Sequence, residues 1–169
     1  VLDYLPNVKT IGARAFGNVQ TLTSVSLSSL RRIEREAFIG CGNLESASVD
    51  GAGLRLEGGG EKDYYTYGPF ARCPKLRTVK LGDGVVSIPY RLFYGSTNLE
   101  MVEFGRGIQE LVERFSNQKN LRSFVAKGRI GKLPSNMFDG CEMLSEIGFQ
   151  WENVTNVGEY AFSGCTNWV

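Results

Sequence analysis

Apolar residues return along this chain in a fixed order, and the order predicts one structural unit made seven times. Phe16, Phe38, Phe70, Phe93, Phe115, Phe138 and Phe162 stand at steps of 22, 32, 23, 22, 23 and 24 residues. Six positions after each comes a large apolar residue: Leu22, Leu44, Leu76, Leu99, Leu121, Leu144 and Trp168. From that position an L-x-x-V-x-L core recurs, as in Leu22/Val25/Leu27, Leu44/Ala47/Val49, Leu76/Val79/Leu81, Leu99/Val102/Phe104, Leu121/Phe124/Ala126 and Leu144/Ile147/Phe149. Its period of two predicts a strand with one buried face.

A second apolar pair follows at a three-residue step: Val8/Ile11, Leu30/Ile33, Val85/Ile88, Ile108/Leu111, Ile130/Leu133 and Val154/Val157. Then comes the A-F-x-G-C segment, long enough for one helical or 3-10 turn before the next strand. A single coil of this size cannot close its own apolar edge, but the next coil covers it. The expected architecture is therefore a solenoid whose strands form one parallel sheet, with short turns on the opposite side.

The sequence resembles the BspA-type leucine-rich repeat, with a unit of the form I-G-x-x-A-F-x-G-C-x-x-L-x-x-V-x-L-P-x-x-V-x-x-I. The resemblance is carried most closely by Ile33–Leu44, Leu133–Leu144 and Val157–Trp168 and covers essentially the whole chain. It implies one α/β solenoid domain over residues 1–169: a right-handed superhelix with a parallel sheet on the concave face and short helical or 3-10 turns on the convex face. It also implies an interaction scaffold, often adhesive and extracellular or on the cell surface.

Three stretches depart from the unit. Leu111–Leu121 is one residue short ahead of Phe115 and lacks the usual Ala, Gly and Cys, so a distorted turn is expected there. The first unit has Val19 in place of Cys. Between Val49 and Phe70 the chain gains ten residues, the insertion spanning 50–67. Within it, Leu54–Glu57 and Lys62–Tyr67 flank Gly58-Gly59-Gly60, a pattern that predicts a small hairpin. Tyr64, Tyr65 and Tyr67 either form an aromatic contact patch or serve the coil itself, Tyr65 then standing in for the missing isoleucine. The glycine triplet lacks the strand, lysine and helix of a phosphate loop.

All four cysteines, Cys41, Cys73, Cys141 and Cys165, occupy one repeat position, three residues after Phe. Equivalent side chains of stacked coils point the same way, which suits buried free thiols better than disulfides. No C-x-x-C pair suggests zinc.

The strand register assigns outward positions to Ser24/Ser26, Ser46/Ser48, Thr78/Lys80, Met101/Glu103, Ser123/Val125 and Glu146/Gly148, extended by Leu2 and Tyr4. Lys80, Met101, Glu103, Val125 and Glu146 are the candidate contacts on this strip. Glu103 and Glu146 invite comparison with a glycosidase carboxylate pair, but no sugar-stacking aromatic accompanies them and a solvated face is the preferred reading. Asn153-Val154-Thr155 is a formal glycosylation sequon whose Asn and Thr should face outward.

Composition narrows the functions. The chain has no histidine, which removes Ser-His-Asp and Cys-His nucleophile systems and histidine acid–base work. A net charge of +1, with Lys and Arg scattered, argues against a nucleic-acid partner. No apolar run reaches the 18–20 or so residues of a membrane span, and residues 1–10 lack the pattern of a secretory signal. No cofactor is implied. The expected function is non-enzymatic: a protein-interaction or adhesion module, with a structural spacer or docking scaffold as the alternative. A partial strand at Leu2 to Leu5, a next strand beginning at Val169 and the lack of polar capping units predict that the natural protein continues in at least one direction.

Overall fold

The computed structural model describes residues 5–168. Its strands, in chain order, are β1 (Thr10–Ile11), β2 (Ser24–Leu27), β3 (Arg32–Ile33), β4 (Ser46–Val49), β5 (Leu54–Leu56), β6 (Thr78–Leu81), β7 (Val85–Ser87), β8 (Met101–Phe104), β9 (Ser123–Ala126), β10 (Lys132–Leu133), β11 (Glu146–Gly148) and β12 (Asn156–Val157). One parallel sheet runs β2-β4-β6-β8-β9-β11, with one strand from each coil. Pairing is in step, Val25 with Ala47, Val79 and Val102 in turn, and Val102 with Phe124. The inward alternation is therefore buried on the first five strands, at Val25, Ala47, Val79, Val102 and Phe124, and half-buried at Ile147 on the last, β11. The expectations at Leu2, Tyr4 and Val169 lie outside the described residues, as does the Leu2–Leu5 strand apart from Leu5 itself.

The phenylalanines form a continuous column. Ring centroids of Phe16 and Phe38 lie 5.4 Å apart, those of Phe38 and Phe70 5.3 Å, and those of Phe115 and Phe138 5.8 Å, with interplanar angles of 6°, 4° and 17°. That spacing slightly exceeds the roughly 4.8 Å between strands, so the rings stack with an offset. Burial of each such ring contributes about 1.5–3 kcal/mol.

Each ring sits in a run of i→i−3 turns, for example Ala15 to Gly12, Gly17 to Arg14 and Val19 to Phe16. The turns reverse tightly enough to need left-handed backbone at two columns. Two residues before Phe these are Arg14, Glu36, Arg91, Asn136 and Tyr160, and two residues after it Asn18, Gly40, Arg72, Gly95, Asn117, Gly140 and Gly164. This is the reason for the glycine in A-F-x-G-C. The only helical element among the described residues is a 3-10 turn at Trp151–Asn153, so the convex side is made of turns rather than helices.

Neighbouring coils are stitched at these turns by two main-chain bonds. The N–H of the ladder phenylalanine donates to the carbonyl just ahead of the next one: Phe16 to Ala37, Phe38 to Pro69, Phe70 to Leu92, Phe115 to Met137 and Phe138 to Ala161. Two residues on, Asn18, Gly40, Arg72, Asn117 and Gly140 do the same to Ile39, Ala71, Tyr94, Asp139 and Ser163. The cysteine column adds a third bond. The Sγ of Cys41, Cys73, Cys141 and Cys165 donates to the carbonyls of Phe16, Phe38, Phe115 and Phe138 at 3.0–3.3 Å. Ser96 stands in the same column and its Oγ donates to the Phe70 carbonyl at 2.7 Å. All four thiols are free. Burial pushes Cys73 and Cys141 up to about 12.

A second parallel sheet, absent from the sequence expectation, runs β1-β3-β5-β7, and a separate pair joins β10 and β12. It is built by the apolar pairs. Leu56 is the register partner of Ile33, so Leu54 and Leu56 supply the pair of the third coil. This overturns two expectations. The Leu54–Glu57 segment belongs to this sheet and not to a hairpin, and Lys62–Tyr67 forms no strand. Tyr65 replaces no core residue, since it is 89% exposed. The second sheet stops at the short coil, where residues 108–112 form no strand. Val157, expected inside, is 53% exposed on the edge strand β12, and Ser123, expected outward, is buried between Met101 and Glu146.

Candidate functional site

The insertion projects from the side of the coil that carries the second sheet. It leaves β5 after Glu57 and returns at Gly68, whose N–H donates to the Arg91 carbonyl at 3.0 Å. Its conformation is fixed by two anchors. Asp63 Oδ1 accepts the N–H groups of Tyr65 and Thr66, each at 3.1 Å. The Thr66 hydroxyl and these N–H bonds hold the Asp63 carboxyl below the usual carboxylate range. Arg91, from the next coil, donates to the carbonyls of Gly60, Glu61 and Asp63. Gly59 is required by close approach, since a Cβ there would meet the Thr66 carbonyl oxygen at 2.5 Å.

The three tyrosines do not form one patch. Tyr64 lies over the Arg91 guanidinium, 4.9 Å from ring centroid to Cζ, and is 68% exposed. Tyr65 projects freely into solvent. Tyr67 turns inward: its ring stacks on Tyr94 at 4.6 Å and 18°, with the Arg72 guanidinium 5.0 Å from it, and its N–H donates to the buried Glu36. Tyr94, half-exposed beside Tyr67, extends the aromatic surface and was missed in the sequence because it belongs to a different coil. Arg91 and Arg72 were missed for the same reason.

The concave strip is a separate surface made by the outward residues of the six-stranded sheet. Its two rows read Ser24, Ser46, Thr78, Met101, Ser123, Glu146 and Ser26, Ser48, Lys80, Glu103, Val125, Gly148. Glu103 is flanked by Lys80 at 3.9 Å and by Lys127. Glu146 stands in the other row, so the two carboxylates do not face each other across a sugar-sized gap. Met101 is half-exposed and Val125 half-buried. No group of His, Cys, Asp and Glu among the described residues could hold a metal ion, and none of their helices is long and apolar enough to cross a membrane. In the sequon, Asn153 Nδ2 donates to Gln150 Oε1 at 3.1 Å and Thr155 Oγ1 to the Gly131 carbonyl at 3.0 Å.

No curated protein sequence matches the chain. Among solved structures, a leucine-rich cell surface protein from Faecalibacterium prausnitzii A2-165 aligns over 79% of this chain and 35% of its own, with a TM-score of 0.56 and 19% identity. At that identity the likeness shows the fold alone, and the chain spans about a third of that protein's length. A leucine-rich repeat protein from Bacteroides ovatus ATCC 8483 aligns over 96% of this chain and 69% of its own at 18% identity, with a TM-score of 0.30 that is too low to bear on the fold. The BspA type leucine-rich repeat region model matches six copies over residues 2–55 and 66–169, leaving the middle of the insertion outside it. Since that model covers most of the chain, the chain belongs to the BspA-type leucine-rich repeat family.

Proposed function

We propose that this array is a non-enzymatic protein-interaction module of a surface or secreted protein, with Tyr64 and Tyr65 of the insertion as its principal contacts. The family implies a protein-interaction or scaffold role, and the Faecalibacterium protein of the same fold is described as a cell surface protein. One observation carries the choice of surface. The middle of the insertion, residues 58–65, lies outside the repeat pattern, yet Asp63 and Arg91 hold it in one shape while Tyr64 and Tyr65 stay exposed. A preformed aromatic surface binds without a large ordering cost, and tyrosine is favoured at energetic centres of interfaces. The concave strip, through Lys80, Met101, Glu103, Val125 and Glu146, is the secondary contact surface, and Tyr67 supports the loop from within.

Labelled chain applied to matrix-coated and cell-coated surfaces should bind saturably. Tyr64→Ser with Tyr65→Ser should weaken that binding at least about tenfold without lowering the melting temperature. Unchanged binding would remove the loop from the reading. The alternative role, a spacer or docking scaffold, is favoured by the small hydroxyl side chains of Ser24, Ser26, Ser46 and Ser48, which offer little to grip. It predicts no saturable binding.

A further inference from the structure

The two main-chain stitches that join coils at their turns are both missing at one junction, between the coils of Phe93 and Phe115. By the pattern of the other junctions, Phe93 N–H should meet the carbonyl of Arg114. It donates instead to Glu113 Oε2 at 3.3 Å, while Glu113 Oε1 accepts the Arg114 N–H at 3.0 Å. Gly95 N–H has no counterpart of the bonds made by Gly40 and Gly140 among the described residues. The other side-chain bridges between these two turns are Asn120 Nδ2 to Asn98 Oδ1 at 3.0 Å and Gln118 Nε2 to the Ser96 carbonyl at 2.7 Å, the latter leaving Gln118 Oε1 buried without a partner. The missing residue ahead of Phe115 explains the substitution. With the turn shortened, a carboxylate fills the place of a carbonyl that no longer reaches.

The second sheet stops at the same coil, so apart from the apolar core the one continuous main-chain connection across this junction is the β8–β9 pairing of the concave sheet. We propose that this junction is a hinge, opening on its turn side about the concave sheet, and that the Glu113 carboxyl is the latch that holds it closed. Local opening concentrates in the least stable units of a structure, and the two missing stitches lower the stability of this junction relative to its neighbours.

The latch is sensitive to pH. Burial pushes Glu113 up to about 7, against the opposing pull of the Arg114 and Phe93 N–H groups and the Arg91 charge. The other groups facing it, Glu61, Tyr64, Tyr90, Arg91 and Arg114, line the same recess of about 250 Å³. Opening returns the carboxyl to water, where its ordinary value is 4.5. The closed form therefore holds the proton more tightly. A protonated carboxyl can still accept the Phe93 N–H through its carbonyl oxygen and carries no buried charge. Closure is favoured below about pH 4.5 and is progressively lost as pH rises through about 7. From pH 5 to 8 the opening equilibrium should rise on the order of 50-fold.

Amide hydrogen exchange resolved by residue, corrected for intrinsic rates, tests this on the chain as it stands. At pH 8 the amides of Phe93 and Arg114 should exchange at least about tenfold faster than those of Phe70 and Phe138. The excess should shrink toward pH 5. Glu113→Gln should remove the pH dependence and leave the excess over the neighbouring junctions. Equal protection at all junctions would overturn the hinge, and an unchanged pH dependence in Glu113→Gln would overturn the latch. Neither readout requires a binding partner, so the outcome is independent of the function proposed above.

Discussion

Two adjacent junctions of this solenoid share a phenylalanine, yet they are held in different ways. Between the coils of Phe115 and Phe138, two main-chain bonds, a thiol bond and rings at 17° join the turns. Between those of Phe93 and Phe115, a carboxyl and the amide side chains of Gln118 and Asn120 do the joining and the rings tilt to 38°. The apolar core is continuous through both. The loss of one residue thus costs little packing and nearly all the regular polar bonding on one side. In an array, hydrophobic stacking tolerates a shift of register that main-chain hydrogen bonds do not.

That contrast can be broken most severely at the intact junction. Phe138→Ala should cost about 3–5 kcal/mol in urea unfolding, since the ring is wholly buried between Phe115 and Phe162. An equal loss from Phe162→Ala, whose ring is only partly buried, would refute the view that enclosure sets the cost. Gly140→Ala should cost about 1–2 kcal/mol, because φ is +73° and a Cβ would lie 2.9 Å from Asn117 Oδ1. Thermal denaturation of the pair Gly140→Ala and Asn117→Gly would show whether backbone or contact dominates. Cys141→Ala should cost about 1 kcal/mol, the loss of one donor, and Cys141→Ser less, as Ser96 already fills that role elsewhere. A cost above about 3 kcal/mol for Cys141→Ser would mean that volume and not hydrogen bonding sets the column. The smallest change is a gain. Asn136→Gly should stabilise by a few tenths of a kcal/mol, up to about 1, by relieving φ of +57°.

The regular parts of the fold were legible because period-two alternation and the A-F-x-G-C turn both repeat. The second sheet was not, because its strands span two or three residues and Arg32-Ile33 or Lys132-Leu133 carries no readable alternation. Leu54-Arg55-Leu56 does alternate, but the adjacent glycine triplet suggested a hairpin and concealed its place in the repeat. The candidate site was visible only as a cluster of tyrosines. Its shape depends on Arg91 and Tyr94, which reach it across a coil boundary. Glu113 gave no signal beyond the missing residue, since a lone glutamate ordinarily reads as solvated.

The column of thiols has a consequence for where such a scaffold can operate. Each sulfur donates a hydrogen bond to the coil before it, and none is bridged. Burial pushes all four thiols up and none is bridged, so the array has no cross-link for a reducing medium to open. Reduction by a glutathione pool therefore removes no bond on which the stacked coils depend.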